Sequence, residues 1–120
     1  MIEQINLSES GDYLSVSLPC NWDDDYLAEI IAHVCMLQKS TKVSYLLLAV
    51  DHWLESSFSM ERLLTIAEII SRLDDSNWKI AVVTSSLNNQ SEILQNILLF
   101  KGIELSHFTS VDHAKYWFKN

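Results

Sequence analysis

Residues 43–50, VSYLLLAV, form an apolar run of strand length in which only Ser44 is strongly polar. A short continuous run of this kind reads as a strand covered on both faces, which places it in the middle of a sheet. The segment that follows, DHWLESSFS at 51–59, is acidic, aromatic and serine-bearing, and a helical pattern begins at Met60. Open α/β sheets bind ligands and partners in the crevice beyond the carboxyl ends of their strands. The run thus locates a site without naming its chemistry.

The flanking patterns extend the fold. Residues 2–7 alternate weakly, with Ile5 and Leu7 on one side, and Ser8-Glu9-Ser10-Gly11-Asp12 is turn chemistry. Residues 13–18 alternate cleanly, so the two segments read as a hairpin that Pro19 terminates. Asn21 or Asp23 is placed to cap a helix with Leu27, Ile30, Ile31, Val34 and Leu37 on its apolar stripe, ending near Ser40. A second stripe runs from Met60 through Leu63, Leu64, Ala67 and Ile70 to Leu73, followed by a polar break at 74–77. Residues 79–84, KIAVVT, read as another buried strand. Asn89 with Glu92 has the spacing of a capping box for a third helix that stops at Lys101-Gly102. Residues 103–108 read as an edge strand. Ser110 is placed to cap a final helix with Val111, Ala114, Trp117 and Phe118 inward. The expected order is ββαβαβαβα, a single α/β domain with a mainly parallel, mixed five-stranded sheet and four helices.

Composition narrows the function classes. Sixteen acidic against eight basic residues give a net charge of −8, which repels nucleic acid and anionic membrane surfaces. The longest apolar runs fall short of the ~20 residues of a membrane helix, and MIEQINLSES has none of the regions of a signal peptide, so a cytoplasmic protein is expected. Cys20 and Cys35 read as buried thiols rather than a disulfide. With two glycines in 120 residues there is no phosphate-cradling loop, and no metal-ligand spacing occurs, so neither cofactor nor metal is expected. His33 reads as a helix-flank residue, and neither His107 nor His113 has a Ser or Cys partner in sequence.

Three stretches carry a family resemblance: LLLAVDHWLESSFSMERLL, KIAVVTS, and the ending GIELSHFTSVDHAKYWFKN. Together they resemble the SpoIIAA-like fold of bacterial STAS domains, the anti-sigma factor antagonist superfamily, and its stand-alone SpoIIAA-like members more than its phosphorylated antagonists. The resemblance implies a non-enzymatic regulatory or protein-interaction domain. Its partner would be another protein, such as a kinase-type regulator, or a second copy of the chain in a homodimer. The antagonists carry Asp-Ser-Ser/Thr-Gly at the start of a main helix, where one hydroxyl is phosphorylated. Here Glu55-Ser56-Ser57-Phe58 is the nearest match, with Glu for Asp and Phe for Gly, and Ser59 is an equally good candidate.

Ser56, Ser57 and Ser59 therefore have two readings. A phosphate at a helix N-terminus is favoured by free backbone N–H groups and the helix dipole. Serine is also a preferred N-cap worth ~1 kcal/mol, which explains its presence without any switch. Trp22, Asp51, His52, Trp53, Glu55 and Phe58 are expected to form a contact surface, because exposed aromatics are enriched at binding patches. The competing reading tucks these aromatics over the core. Two other classes follow from the same sequence. A small apolar-ligand or lipid carrier of SEC14-like type would need a cavity lined by Leu54, Phe58, Leu98 and Phe100. A phosphoacceptor receiver would use Asp51 and Thr84, yet one strand–helix unit too few precedes Asp51.

Overall fold

The computed structural model describes residues 5–73 and 78–119. The expected break at 74–77 and the first part of the 2–7 strand lie outside the described residues. The elements are β1 (Asn6–Leu7), β2 (Leu14–Ser17), α1 (Asp24–Thr41), β3 (Tyr45–Ala49), α2 (Met60–Ile70), β4 (Lys79–Val83), α3 (Asn89–Phe100), β5 (Glu104–Phe108) and α4 (Val111–Lys119). The fold is α/β as expected, with one five-stranded sheet in the order β1-β2-β3-β4-β5. β1 is antiparallel to β2, and every later neighbour is parallel.

This sequential order dictates the layers. When each strand lies beside the one before it and all crossovers share one hand, the connecting helices fall on a single face. Accordingly α1, α2 and α3 bury Leu27, Ile30, Leu63, Ile66, Leu94 and Leu98 against Leu14, Val16, Leu46, Leu48, Ile80 and Val82 in one core. The last described helix, α4, packs on the opposite face. There Ala114 and Phe118 meet Leu47 and Ala81 in a second, smaller cluster. β3 is the middle strand, and Leu46, Leu47 and Leu48 are all buried, which is why its sequence shows no alternation. β5 is an edge strand, as its mixed sequence implies.

Local details revise several expectations. Asp23 is the α1 cap, its carboxylate accepting from the Tyr26 N–H at 2.8 Å. The α3 cap is Asn88 rather than Asn89: the Asn88 side-chain oxygen accepts from the Gln90 N–H at 2.8 Å. That shift puts Ser91, not Glu92, at the third helical position, so the expected capping box does not form. Asn88→Ala is expected to cost about 1–2 kcal/mol, measurable by urea denaturation, because it removes a cap. Val111 is 41% exposed, since it starts α4 before the helix meets the sheet, whereas Ala114 and Phe118 are buried as expected. Cys20 is exposed and Cys35 half-buried, so neither is the fully buried thiol expected, and neither is in a disulfide. The Cys35 thiol donates to the Arg72 carbonyl.

Candidate functional site

The carboxyl ends of β3 and β4 carry the connection 51–59. It forms no strand or helix, so its carbonyls need partners from elsewhere. Other elements supply them. The Asp51 carbonyl accepts from the hydroxyls of Thr84 (3.2 Å) and Ser85 (3.1 Å), just past β4. The His52 carbonyl accepts from the Trp22 indole N–H at 2.7 Å, before α1. The Leu54 carbonyl accepts from the Asn88 amide at 2.8 Å, and the Phe58 carbonyl from the Gln90 amide. Phe58 N–H closes a turn onto the Glu55 carbonyl at 2.9 Å, with Ser56 and Ser57 at its tip. Five side chains from three other places in the chain thus hold this backbone still.

Beneath the connection lies a buried polar pair. The Trp53 indole N–H donates to His107 Nε2 at 2.9 Å. Gln95 Oε1 lies 2.8 Å from His107 Nδ1 and 3.1 Å from its backbone N–H. An amide oxygen only accepts, so Nδ1 carries the proton and Nε2 offers a lone pair to Trp53. Burial lowers the His107 pKa from 6.5 to about 4, because the charged ring loses its hydration. This imidazole is spent on holding Trp53. His33 and His113, by contrast, are exposed on their helices.

Trp53 is 3% exposed and belongs to the main core, so it adds no area to the expected contact surface. Its ring packs on Trp22 at 5.2 Å, and both indoles are held by hydrogen bonds. The tucked arrangement wins because a large aromatic gains more from burial than from solvent exposure. Trp22 and Phe58 are half-buried and pack on the same core. Arg62 reaches across them, its guanidinium 5.7 Å from the Trp22 ring and 5.2 Å from the Phe58 ring, and pairs with Asp24. The acidic rim beside α1 therefore has a counter-ion from α2.

Asp51, His52, Glu55, Ser56 and Ser57 remain exposed. All but Ser57 border a cavity of about 360 Å³ that is also lined by Thr84, Ser85, Ser86 and Asn88. The lining carries carboxylates and hydroxyls and no Lys or Arg. Ser59 is separated from its neighbours by role: its hydroxyl accepts from the Arg62 N–H at 3.1 Å as the α2 cap. Among the described residues no group of three or more His, Cys, Asp or Glu is placed to hold a metal ion. No described helix is long and apolar enough to cross a membrane.

Of the four residues expected of an apolar-ligand cavity, Leu54 and Leu98 are core residues with Phe58 packed against the same core, and Phe100 lies outside it. Leu98 is sealed in the core and Phe100 is 95% exposed, as two positions roughly 200° apart around a helix must be. The Thr84 hydroxyl, needed by a receiver, is engaged with the Asp51 backbone rather than its carboxylate. Sequence reasoning missed the His107–Trp53–Gln95 network altogether. One signal was present: His107 sits two residues from Leu105 on a strand, on the same inward side.

The fold and site define an α/β domain with a rigid, acidic, hydroxyl-bearing edge at the ends of its parallel strands. No protein-family model, curated protein or solved structure matches the chain.

Proposed function

We propose that this chain is a non-catalytic regulatory or protein-interaction domain of the STAS, SpoIIAA-like kind. Its contact surface is the exposed row Asp51, His52, Glu55, Ser56 and Ser57, continued by Met60 and Leu64 on the outer side of α2. The observation that carries this reading is the contrast within 51–59. The backbone is tied down by side chains from elsewhere, yet its polar side chains are left in solvent. A preorganised surface of this type lowers the ordering cost of association. Met60 and Leu64, 54% and 49% exposed, supply the apolar component next to it. The acidic lining favours a partner with a basic complementary patch.

Ser56 and Ser57 are the hydroxyls available for modification, because Ser59 is committed to its cap. A phosphate on either would add about −1.5 to −2 of charge beside Asp51 and Glu55 and strengthen docking of a partner whose complementary patch is basic. The test is co-purification from native lysate with Leu64→Asp, Ser56→Asp and Ser57→Asp. Loss of a specific partner by Leu64→Asp, and an altered partner set for one serine variant, are expected with unchanged melting. Identical partner lists for all variants would argue against this surface and its switch.

A further inference from the structure

On the sheet face opposite α1, α2 and α3, the 8–12 turn and α4 border an open cavity of about 810 Å³. Tyr13 and Tyr45 mark it at the amino ends of β2 and β3, the far end of the strands from residues 51–59. Its volume falls in the range of small-molecule sites, roughly 300–1,000 Å³. Its floor is aromatic: the Phe118 ring stacks on Tyr45 at 5.1 Å and 14°, and lies 5.4 Å from Tyr13. Both tyrosines are only half-buried, so part of each ring is left for a ligand.

The walls carry opposite charges. Lys115 and Lys119 stand one helical turn apart on α4. Like charges at that spacing repel, and among the described residues no salt bridge relieves either one. Lys79 lies outside the lining, over the Tyr45 and Trp117 rings, and donates to the Trp117 carbonyl at 3.2 Å. Facing Lys115 and Lys119, Glu9 and Asp12 sit on the turn. The Ser8 hydroxyl fixes that turn by accepting from Asp12 N–H (3.0 Å) and Tyr13 N–H (3.2 Å). Among the described residues no salt bridge joins the two walls.

We propose that this cavity binds a small aromatic zwitterion of the aromatic amino-acid class. The ring packs on the exposed parts of Tyr13 and Tyr45, which Phe118 backs, the carboxylate lies against Lys115 and Lys119, and the ammonium lies toward Glu9 and Asp12. A ligand with both charges satisfies both walls, whereas a plain anion meets the acidic wall and a plain cation the basic one. This site is independent of the 51–57 surface and stands or falls without it.

The test is calorimetric titration and saturation-transfer NMR of the full chain with three probes: tryptophan, indole-3-acetate and tryptamine. Tryptophan is expected to bind most tightly. The double variant Lys115→Glu/Lys119→Glu is expected to weaken tryptophan by about tenfold or more with unchanged melting, one good charge contact being worth about that factor. Tyr45→Leu, which removes the stacking ring, is expected to weaken all three probes. No tryptophan binding at millimolar concentration, equal binding by the lysine variant, or tryptamine or indole-3-acetate binding as tightly as tryptophan would each overturn the assignment.

Discussion

Trp53→Ala is expected to destabilise the protein by roughly 3–5 kcal/mol, the usual cost of emptying a large buried aromatic site. Two losses combine. The indole is 3% exposed, packs on Trp22 at 5.2 Å, and belongs to the core beneath the 51–59 connection. Its N–H is also the donor to His107 Nε2, which alanine leaves buried without one. Trp53→Phe separates the terms: most packing survives and the hydrogen bond does not, so a cost of about 1–3 kcal/mol is expected. Chemical denaturation measures both. Limited proteolysis should show the 51–59 segment cut faster in Trp53→Ala, because the anchor under it is gone. A loss under ~1 kcal/mol for the alanine variant would show that the indole is not an anchor, given the usual range for such truncations.

The second large effect is a pH dependence. His107 has its pKa lowered from 6.5 to about 4 by burial. Above pH 6.5 the ring is neutral in both folded and unfolded chains, and the full stability is present. Between 6.5 and 4 the unfolded chain takes up a proton that the folded one refuses, so stability falls as pH falls. At ~1.4 kcal/mol per pH unit, the loss approaches about 3 kcal/mol near pH 4 and then levels off. Protonation would also convert Nε2 from acceptor to donor, facing the Trp53 N–H with nothing to receive it. His107→Gln keeps a polar group that can accept from Trp53 and removes the titration. The difference between wild-type and variant stability from pH 7 to pH 4 isolates this histidine from the carboxylates. Parallel profiles would rule out His107 as the source of acid sensitivity.

Much of the fold was legible because its causes are local or periodic. The unalternating 43–50 run announced the middle strand, and the stripes on α1, α2 and α3 announced their buried faces, except that Met60 and Leu64 of the α2 stripe are exposed. Caps were legible only to within a residue. Asn88 and Asn89 carry the same side chain, and the choice fell to the one whose amide also reaches the Leu54 carbonyl. The position of α4 was not legible, since its inward residues Ala114 and Phe118 suit either face of a sheet. Its contacts with Leu47 and Ala81 on the second face appear only in the tertiary structure.

The site divides the same way. Sequence placed Asp51, His52, Glu55, Ser56 and Ser57 at the strand ends, because strand order puts every such connection on one edge. It could not divide their neighbours by role. Trp53 was as plausible on a surface as in the core until His107, 54 residues later, offered a buried acceptor. Ser59 was indistinguishable from Ser56 and Ser57 until the α2 N-terminus claimed its hydroxyl. Hydrophobic periodicity acts over a few residues and is written into the chain, so sequence alone determined the elements, their order and the edge carrying the site. Which side chains at that edge are anchors and which face solvent depends on partners distant in sequence, and only the tertiary structure decided it.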